Sequence, residues 1–145
     1  EVWAAIEALY AAGKTRMIGV SNVSAEQLAL LCEKARHKPM VVQNRCYAAF
    51  GWDQEVRALC RTHNLIYQGF SLLTANREVF TEPAISAMAA KYQTGLAQIV
   101  FRFSQQIGML PLTGTTNQQH MAEDLQCERF TLSPDELALI ETIGQ

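Results

Sequence analysis

The sequence predicts an α/β protein in which short apolar strands alternate with amphipathic helices around a parallel sheet. Four short apolar runs are spaced along the chain, and small or polar residues follow each of them. A helical pattern comes after each polar segment. Strands that are apolar almost throughout are typical of a parallel sheet covered on both faces, because a half-exposed strand alternates apolar with polar residues.

The first half of the chain contains two helices around the first predicted strand. Apolar residues at helical spacing predict a helix over 2–12, which Gly13 ends. The strand over 17–20 comes next. Ser24 and Gln27 have the spacing of a capping box, so a second helix begins after Ser24.

The middle of the chain continues the alternation. A second strand over 40–42 precedes Asp53, which is predicted to cap a third helix. A third strand opens at 65–67. After a longer loop, two helices are expected, one starting at Pro83 and one near Thr94.

The last quarter holds the fourth strand and two helices. The strand covers Met109–Pro111 and leads into a polar run over 113–117. A helix over 117–126 follows. Ser133 directly before Pro134 predicts the start of the final helix, because Ser is a good cap and Pro suits the first helical position.

Composition is typical of a packed globular protein, and the length of 145 residues fits one domain over 1–145 with no second domain. The net charge of −2 provides no basic field for nucleic acid or anionic lipid. No apolar run approaches the ~20 residues of a membrane span, and no signal peptide is visible. Four scattered cysteines without a CxxC pair are typical of reduced thiols, so we expect a cytoplasmic protein.

Small or polar residues stand at the carboxyl ends of all four predicted strands. Ligands of parallel α/β folds bind at that edge of the sheet. We therefore expect a set of eight side chains to converge on a ligand: Ser21, Asn22, Gln43, Asn44, Phe70, Ser71, Thr115 and Thr116.

The chemistry of this set favours a nicotinamide dinucleotide. Side-chain amides of Asn and Gln suit a carboxamide, which both donates and accepts hydrogen bonds. An aromatic ring beside them suits a flat heterocycle, and a Gly-Thr-Thr-Asn turn into a helix suits a phosphate. The sequence contains no GxGxxG, so the Rossmann fingerprint is not the basis of this prediction. The three histidines share no ligand spacing, and we expect no metal site.

Four motifs resemble successive motifs of the aldo-keto reductases, in the order that the family has them: GKTRMIGVSN, VVQN, GFSLL and GTTNQQHMAEDL. The resemblance implies a TIM (β/α)8 barrel, of which this chain holds only the C-terminal half, strands five to eight with their helices. A complete barrel needs ~250 residues. The implied activity is the NADPH-dependent reduction of aldehydes and ketones to alcohols, with a small carbonyl compound or alcohol as the substrate.

The resemblance also implies where the nicotinamide end of the cofactor binds. Ser21 and Asn22 match the Ser-Asn pair that holds the carboxamide, and Gln43 matches its partner on the next strand. Phe70 stands where the family usually has a Tyr stacked on the nicotinamide. Ser71 matches the start of the loop that contacts the pyrophosphate.

The remaining implied cofactor residues belong to the phosphate and adenine end. Leu73 matches the pyrophosphate loop, and Thr115 matches a Ser or Thr near the ribose phosphate. His120 stands where many members have Arg. Glu123 and Asp124 match a Glu-Asn pair near the adenine.

Two departures concern the choice of cofactor. Gly114 stands where many members have a Lys, and Asp124 replaces the commoner Asn. Both changes remove groups suited to a 2′-phosphate. NADP(H) is the expected cofactor from the resemblance, and NAD(H) stays open as the alternative.

No catalytic residue is assigned to this chain. The family's catalytic Asp, Tyr, Lys and His lie in the first half of the barrel, and none of the four tyrosines here is at the matching position. In the family mechanism, that Tyr protonates the carbonyl oxygen while the nicotinamide supplies hydride. The chain is therefore expected to supply most of the cofactor site without the acid.

Three readings of the whole chain remain open. The first, which the missing initiator Met and the start inside a helix favour, is a piece of a complete reductase. The second is a half-barrel that binds a dinucleotide without catalysis. The third is a self-associating half-barrel, because open sheet edges invite pairing with another chain. Two single residues also stay open: Phe70 is a core residue or a stacking residue, and Arg45 is a solvated side chain or a contact to phosphate or substrate.

Overall fold

The computed structural model describes residues 1–144, and these residues contain seven α-helices and four β-strands. The helices are α1 (Val2–Ala11), α2 (Ala25–Lys34), α3 (Gln54–His63), α4 (Pro83–Tyr92), α5 (Leu96–Gln106), α6 (Gln118–Asp124) and α7 (Pro134–Thr142). The strands are β1 (Gly19–Ser21), β2 (Val41–Arg45), β3 (Ile66–Phe70) and β4 (Met109–Pro111). Three short 3-10 segments lie at Ala48–Asp53, Arg77–Thr81 and Cys127–Arg129.

The four strands are parallel and neighbour one another in chain order, which confirms the predicted α/β class. β1 and β2 pair with Gly19 opposite Val41 and Ser21 opposite Gln43. A Cβ atom at position 19 would lie 2.5 Å from the carbonyl oxygen of Val41. Only glycine therefore allows β1 to approach β2 this closely.

The first two strands extend further toward the carboxyl side than the predicted apolar runs do. β1 covers Gly19–Ser21 rather than residues 17–20, and Met17 is 46% exposed. β2 continues through Gln43 to Arg45. Backbone pairing continues wherever a neighbouring strand offers partners, whatever the polarity of the side chain. Ser21 and Gln43 consequently lie within paired strands and are held by the sheet itself.

The chain forms two compact units, and the first contains residues 1–44 and 54–68. Its helices are α1, α2 and α3. The core includes Leu28, Val42 and Val56, whose side chains are buried. Burial of these apolar side chains is the main stabilising contribution to this unit.

The second unit contains residues 45–53 and 69–144. Trp52 is fully buried, and its ring centroid lies 5.0 Å from that of Phe103. The indole N–H of Trp52 donates a 3.0 Å hydrogen bond to the carbonyl oxygen of Ile140. A buried Trp is stabilising when its polar N–H has a partner, as it has here.

Two of the predicted helix caps are confirmed, and the third, at Asp53, has an unusual backbone conformation. Ser24 with Gln27, and Ser133 with Glu136, form complete capping boxes at the starts of α2 and α7. α3 does begin directly after Asp53. The backbone φ of Asp53 is 58°, however, in the left-handed region rather than the extended region of an ordinary N-cap.

Two further features concern the described part of the chain. Within residues 1–144, no helix combines the length and the apolarity needed to cross a membrane. The same range contains no cluster of three or more His, Cys, Asp or Glu side chains arranged to hold a metal ion.

All four cysteines are buried, and burial raises the thiol pKa of Cys32 and Cys127, which keeps both protonated at neutral pH.

Candidate functional site

Four polar side chains form one hydrogen-bonded cluster in the first unit, on β1, β2 and β3 and the residue after β1. We call it the amide cluster: Ser21, Asn22, Gln43 and Gln68. The hydroxyl of Ser21 donates to the backbone carbonyl oxygen of Gln43 at 2.8 Å. The Nδ2 of Asn22 donates to the Oγ of Ser21 at 2.9 Å, and the Nε2 of Gln43 donates to the Oε1 of Gln68 at 3.0 Å.

The backbone at Asn22 explains how the cluster is held together. Its φ is 54°, a left-handed conformation that Asn tolerates better than most residues. In this conformation the backbone N–H of Asn22 donates a 3.0 Å hydrogen bond to the backbone carbonyl oxygen of Gln43. The turn out of β1 therefore stays attached to β2 while the chain leads toward α2.

The amide cluster retains hydrogen-bonding capacity after these internal bonds are formed. Within residues 1–144, the Oδ1 of Asn22, the Oε1 of Gln43 and the Nε2 of Gln68 have no hydrogen-bond partner. Two acceptors and one donor group therefore remain on half-buried or exposed side chains. A primary carboxamide has one NH₂ donor group and one carbonyl acceptor, so its chemistry matches this set.

Gln68 was not among the sequence-predicted site residues. It lies between two buried residues of β3, Tyr67 and Gly69, and is the polar residue of an otherwise apolar strand. The signal in the sequence that could have identified Gln68 is a polar residue inside an apolar strand. A half-buried polar side chain needs a hydrogen-bond partner.

Asn44 has a different role from the one expected. Its side chain is buried, with 6% exposure. Its Nδ2 donates to the carbonyl oxygen of Val23 at 2.8 Å, and its Oδ1 accepts from the N–H of Val23 at 3.0 Å. The amide of Asn44 therefore holds the backbone that precedes α2, rather than facing a ligand.

The second unit contains a separate group of predicted site residues around the end of β3. A cavity of about 370 Å³ is lined by residues 70–74, Phe101 and residues 112–114. Phe70, Ser71 and Leu73 are part of this lining and are half-buried. Three predicted residues of the GFSLL motif thus line the same cavity.

Arg45 contacts two residues of this cavity. Its Nε donates to the Oγ of Ser71 at 3.2 Å, and its guanidinium carbon lies 6.0 Å from the centroid of the Phe70 ring. The distance to Phe70 is compatible with a cation–π contact. The backbone of Ser71 is itself in the left-handed region, with a φ of 59°.

The turn before α6 uses its own side chains to satisfy its backbone. The N–H of Asn117 donates to the Oγ1 of Thr115 at 3.1 Å. The Oδ1 of Asn117 accepts from the N–H groups of Gln119 and His120, at 2.9 and 3.3 Å. Three of the backbone donors at this turn, those of Asn117, Gln119 and His120, therefore have internal partners in the structure.

The three α6 residues expected at the phosphate and adenine end of the cofactor occupy different environments. His120 is exposed, and Glu123 accepts a 2.7 Å hydrogen bond from the Nε2 of Gln119. Asp124 is half-buried, and its two oxygens accept from the Oγ1 of Thr113 at 3.2 Å and from the Nε2 of Gln98 at 3.4 Å. Asp124 thus links α6 to the segment after β4 and to α5.

The sequence model of the aldo/keto reductase family matches residues 1–145. The chain belongs to the aldo/keto reductase family.

Curated relatives of this aldo/keto reductase chain agree with that assignment. Aldo-keto reductase family 1 member D1 of Oryctolagus cuniculus is 29% identical over 155 residues, covering 99% of this chain and 47% of the relative. The 9,11-endoperoxide prostaglandin H2 reductase of Trypanosoma cruzi is 28% identical over 147 residues, covering 100% of this chain and 52% of the relative. The chain therefore spans about half the length of the curated relatives it matches.

A solved structure shows the same fold. The crystal structure of MGS-M4, an aldo-keto reductase enzyme from a Medee basin deep-sea metagenome library, superposes with a TM-score of 0.88. The match covers 99% of this chain and 54% of that one at 22% identity, so it is evidence for the fold alone. The expectation of four strands from a TIM barrel, with their helices, is confirmed.

The predicted cofactor residues of this aldo/keto reductase chain fall into two groups. Those in the first unit contact one another through hydrogen bonds of the amide cluster, and they are Ser21, Asn22 and Gln43. Those in the second unit line the cavity or lie near α6, and they are Phe70, Ser71, Leu73, Thr115, His120, Glu123 and Asp124. Their roles in binding remain predictions.

Proposed function

We propose that this chain provides most of the nicotinamide-cofactor site of an oxidoreductase that reduces aldehydes or ketones to alcohols, or runs the reverse reaction. Membership in the aldo/keto reductase family supports the reaction class. Relatives about twice as long include a protein named as a reductase. The catalytic acid is expected outside residues 1–145.

The amide cluster is the observation that carries the proposal. Its unused atoms offer acceptors to the NH₂ group of a nicotinamide carboxamide and a donor to its oxygen. In the proposed role, Asn22 and Gln43 accept from the carboxamide NH₂ group, while Gln68 orients Gln43 and donates from its Nε2 to the carboxamide oxygen. When bound, the nicotinamide supplies hydride transfer, and the side chains of this chain bind and orient it.

The second unit contributes the other proposed contacts. Phe70 offers a half-buried aromatic ring, and Ser71 and Thr115 offer hydroxyl groups. NADP(H) is the proposed cofactor, with NAD(H) as the alternative. The segment 109–128 contains no Lys or Arg, so it offers no strong cation to a 2′-phosphate, and this favours testing both dinucleotides.

The test is a fluorescence titration of the 145-residue chain with NADPH and with NADH. An Asn22→Gly, Gln43→Met double variant removes both amides, and glycine retains the left-handed backbone at position 22. Loss of two hydrogen bonds of about 1 kcal/mol each is expected to raise the Kd at least about tenfold. Gln54→Met, on the exposed start of α3, is the matched control.

Two results would contradict the proposal. One is a double variant that binds the dinucleotide as tightly as the Gln54→Met control. The other is a folded wild-type chain, verified by circular dichroism, that binds neither dinucleotide.

A second candidate function is a catalytically inactive half-barrel that binds a dinucleotide or associates with itself. An apolar groove of about 500 Å³ in the first unit favours it, since Val2 and Leu30 on its walls are 76% and 51% exposed. Sedimentation velocity over a range of concentrations tests this candidate. A Leu30→Lys variant is expected to dissociate any oligomer, and a wild-type monomer at every concentration would contradict self-association.

A further inference from the structure

Arg45 is a charged residue held in place by neutral partners only. Its Nε donates to the Oγ of Ser71 at 3.2 Å, and its Nη1 lies 3.5 Å from the hydroxyl of Tyr47. The ring of Phe70 lies 6.0 Å from its guanidinium carbon. Among residues 1–144, the structure pairs no carboxylate with Arg45.

These contacts leave most of the guanidinium available. The group has five N–H donors, and the two contacts use one on Nε and one on Nη1. Three donors therefore remain, including both on Nη2. Because Ser71 and Phe70 already restrict the side chain, less conformational entropy is lost when an anion binds.

The cavity beside Arg45 has the size and chemistry of a site for part of a nucleotide. Its volume of about 370 Å³ is in the range of ligand pockets, roughly 300–1,000 Å³. Thr74 adds a hydroxyl donor to that of Ser71, while the hydroxyl of Thr113 already donates to Asp124. At Gly114, the space that a Cβ would occupy is open. No described residue that lines the cavity is acidic, and the carboxylate of Asp124, which contacts the lining residue Thr113, is already bonded to Thr113 and Gln98.

We propose that Arg45 binds a phosphate group of the dinucleotide cofactor at this cavity, an inference that rests on the proposed function. A diphosphate has oxygens on two phosphorus atoms, so it engages the remaining N–H donors and the nearby hydroxyls together. A single carboxylate has two oxygens and uses fewer of these donors. The donor set therefore favours phosphate over a carboxylate of the substrate.

The test measures inorganic diphosphate binding by calorimetry, independently of any nicotinamide. Wild type is expected to bind it, and Arg45→Gln is expected to weaken binding at least tenfold. Arg45→Lys is expected to fall between the two, because Lys retains the charge and loses the planar fork. Arg36→Gln, in an exposed loop of the first unit, is the matched control with the same change of charge.

A second measurement tests whether Arg45 also contributes to dinucleotide binding. The affinity for NADH and NADPH is expected to fall in Arg45→Gln and to depend less on salt than in wild type. The proposal is overturned if Arg45→Gln binds diphosphate and dinucleotide as tightly as Arg36→Gln does. It is also overturned if Arg45→Gln loses affinity for a small carboxylate such as pyruvate while its affinity for the dinucleotide is unchanged.

Failure of the proposed function gives a different pattern. In that case, the Asn22→Gly, Gln43→Met variant retains dinucleotide affinity, or wild type binds no dinucleotide. Diphosphate binding still responds to Arg45 alone, since that titration involves no carboxamide. A wild-type chain that binds diphosphate no better than Arg45→Gln overturns the inference about Arg45 by itself.

Discussion

The side-chain amide of Gln43 donates a 3.0 Å hydrogen bond to the Oε1 of Gln68, which joins the side chains of two neighbouring strands. An amide has a donor end and an acceptor end, so this bond uses the donor of Gln43 and leaves its acceptor for a ligand. Gln68 therefore orients Gln43 in the proposed carboxamide site and also offers its own Nε2 as a donor.

Gln68→Met is expected to weaken dinucleotide binding although Gln43 is intact. Loss of one orienting hydrogen bond, about 1 kcal/mol, corresponds to a Kd roughly fivefold higher in fluorescence titration. In a double-mutant cycle with Gln43→Met, the two effects are expected to be less than additive. Fully additive effects would show that the two amides bind independently, against this account.

The positive φ of Asn22 leads to a prediction about stability. An Asn22→Ala variant places a Cβ-bearing residue without a compensating polar group in a left-handed conformation, at a cost of about 1 kcal/mol. Asn22→Gly avoids this strain and is expected to unfold at a higher urea concentration than Asn22→Ala. Equal urea midpoints for the two variants would argue that the backbone at position 22 is not restrained in this conformation.

Asn76 holds two loops of the second unit together from a fully buried position. Its Oδ1 accepts from the N–H of Ala48 at 2.6 Å, and its Nδ2 donates to the carbonyl oxygens of Cys46 and Leu72 at 3.0 and 2.9 Å. Asn76→Ala leaves these buried backbone groups without that partner. We expect a loss of about 3 kcal/mol in the free energy of unfolding, measured by urea denaturation.

The neighbouring change Arg77→Ala is the control for Asn76, because Arg77 is exposed. Asn76→Asp is expected to be at least as destabilising as Asn76→Ala, since it removes both donor bonds and adds a buried charge. A loss below 1 kcal/mol for Asn76→Ala would contradict the structural role assigned to this side chain.

Glu136 makes the stability of the second unit depend on pH. Burial by itself would raise the pKa of its carboxyl, but hydrogen bonds from Lys91, Tyr92 and the N–H of Ser133 lower it from 4.5 to about 2. The side chain of Glu136 is 14% exposed, and that of Lys91 is 58% exposed. Because Lys91 is solvated, water screens its interaction with Glu136. The lowered pKa of Glu136 therefore contributes only on the order of 2 kcal/mol to the free energy of unfolding.

The sign of the effect follows from the lowered pKa. The stabilisation is fully present above pH 4.5, the unfolded value, and is lost as the pH falls toward 2. Glu136→Gln retains a capping-box residue but removes the charge, so its unfolding free energy is expected to change less between pH 5 and about pH 3 than that of wild type. Asp135→Asn is the control on the same helical turn, and an equal flattening by that variant would contradict the assignment to Glu136.

Local sequence was enough to predict the elements of this fold. The capping boxes of Ser24 and Ser133 involve residues three positions apart, and they are present as expected. The bounds of β4, Met109–Pro111, also agree. Such features depend on near neighbours along the chain, so a pattern in the sequence contains most of the information. The resemblance of four motifs then indicated the family, which the family model confirmed.

The partners of the polar side chains were decided only by the tertiary structure. Gln43, Asn44 and Gln68 carry the same functional group, yet Asn44 holds the backbone of Val23 while the two glutamines bond to each other. Gln43 and Gln68 are 25 positions apart in the sequence. Whether they meet depends on the strand register and on the packing of the helix between them. The sequence by itself determined which chemical groups stand near the strand ends. The pairing of the strands determined which of these groups bond to other protein groups and which keep hydrogen-bonding atoms for a ligand.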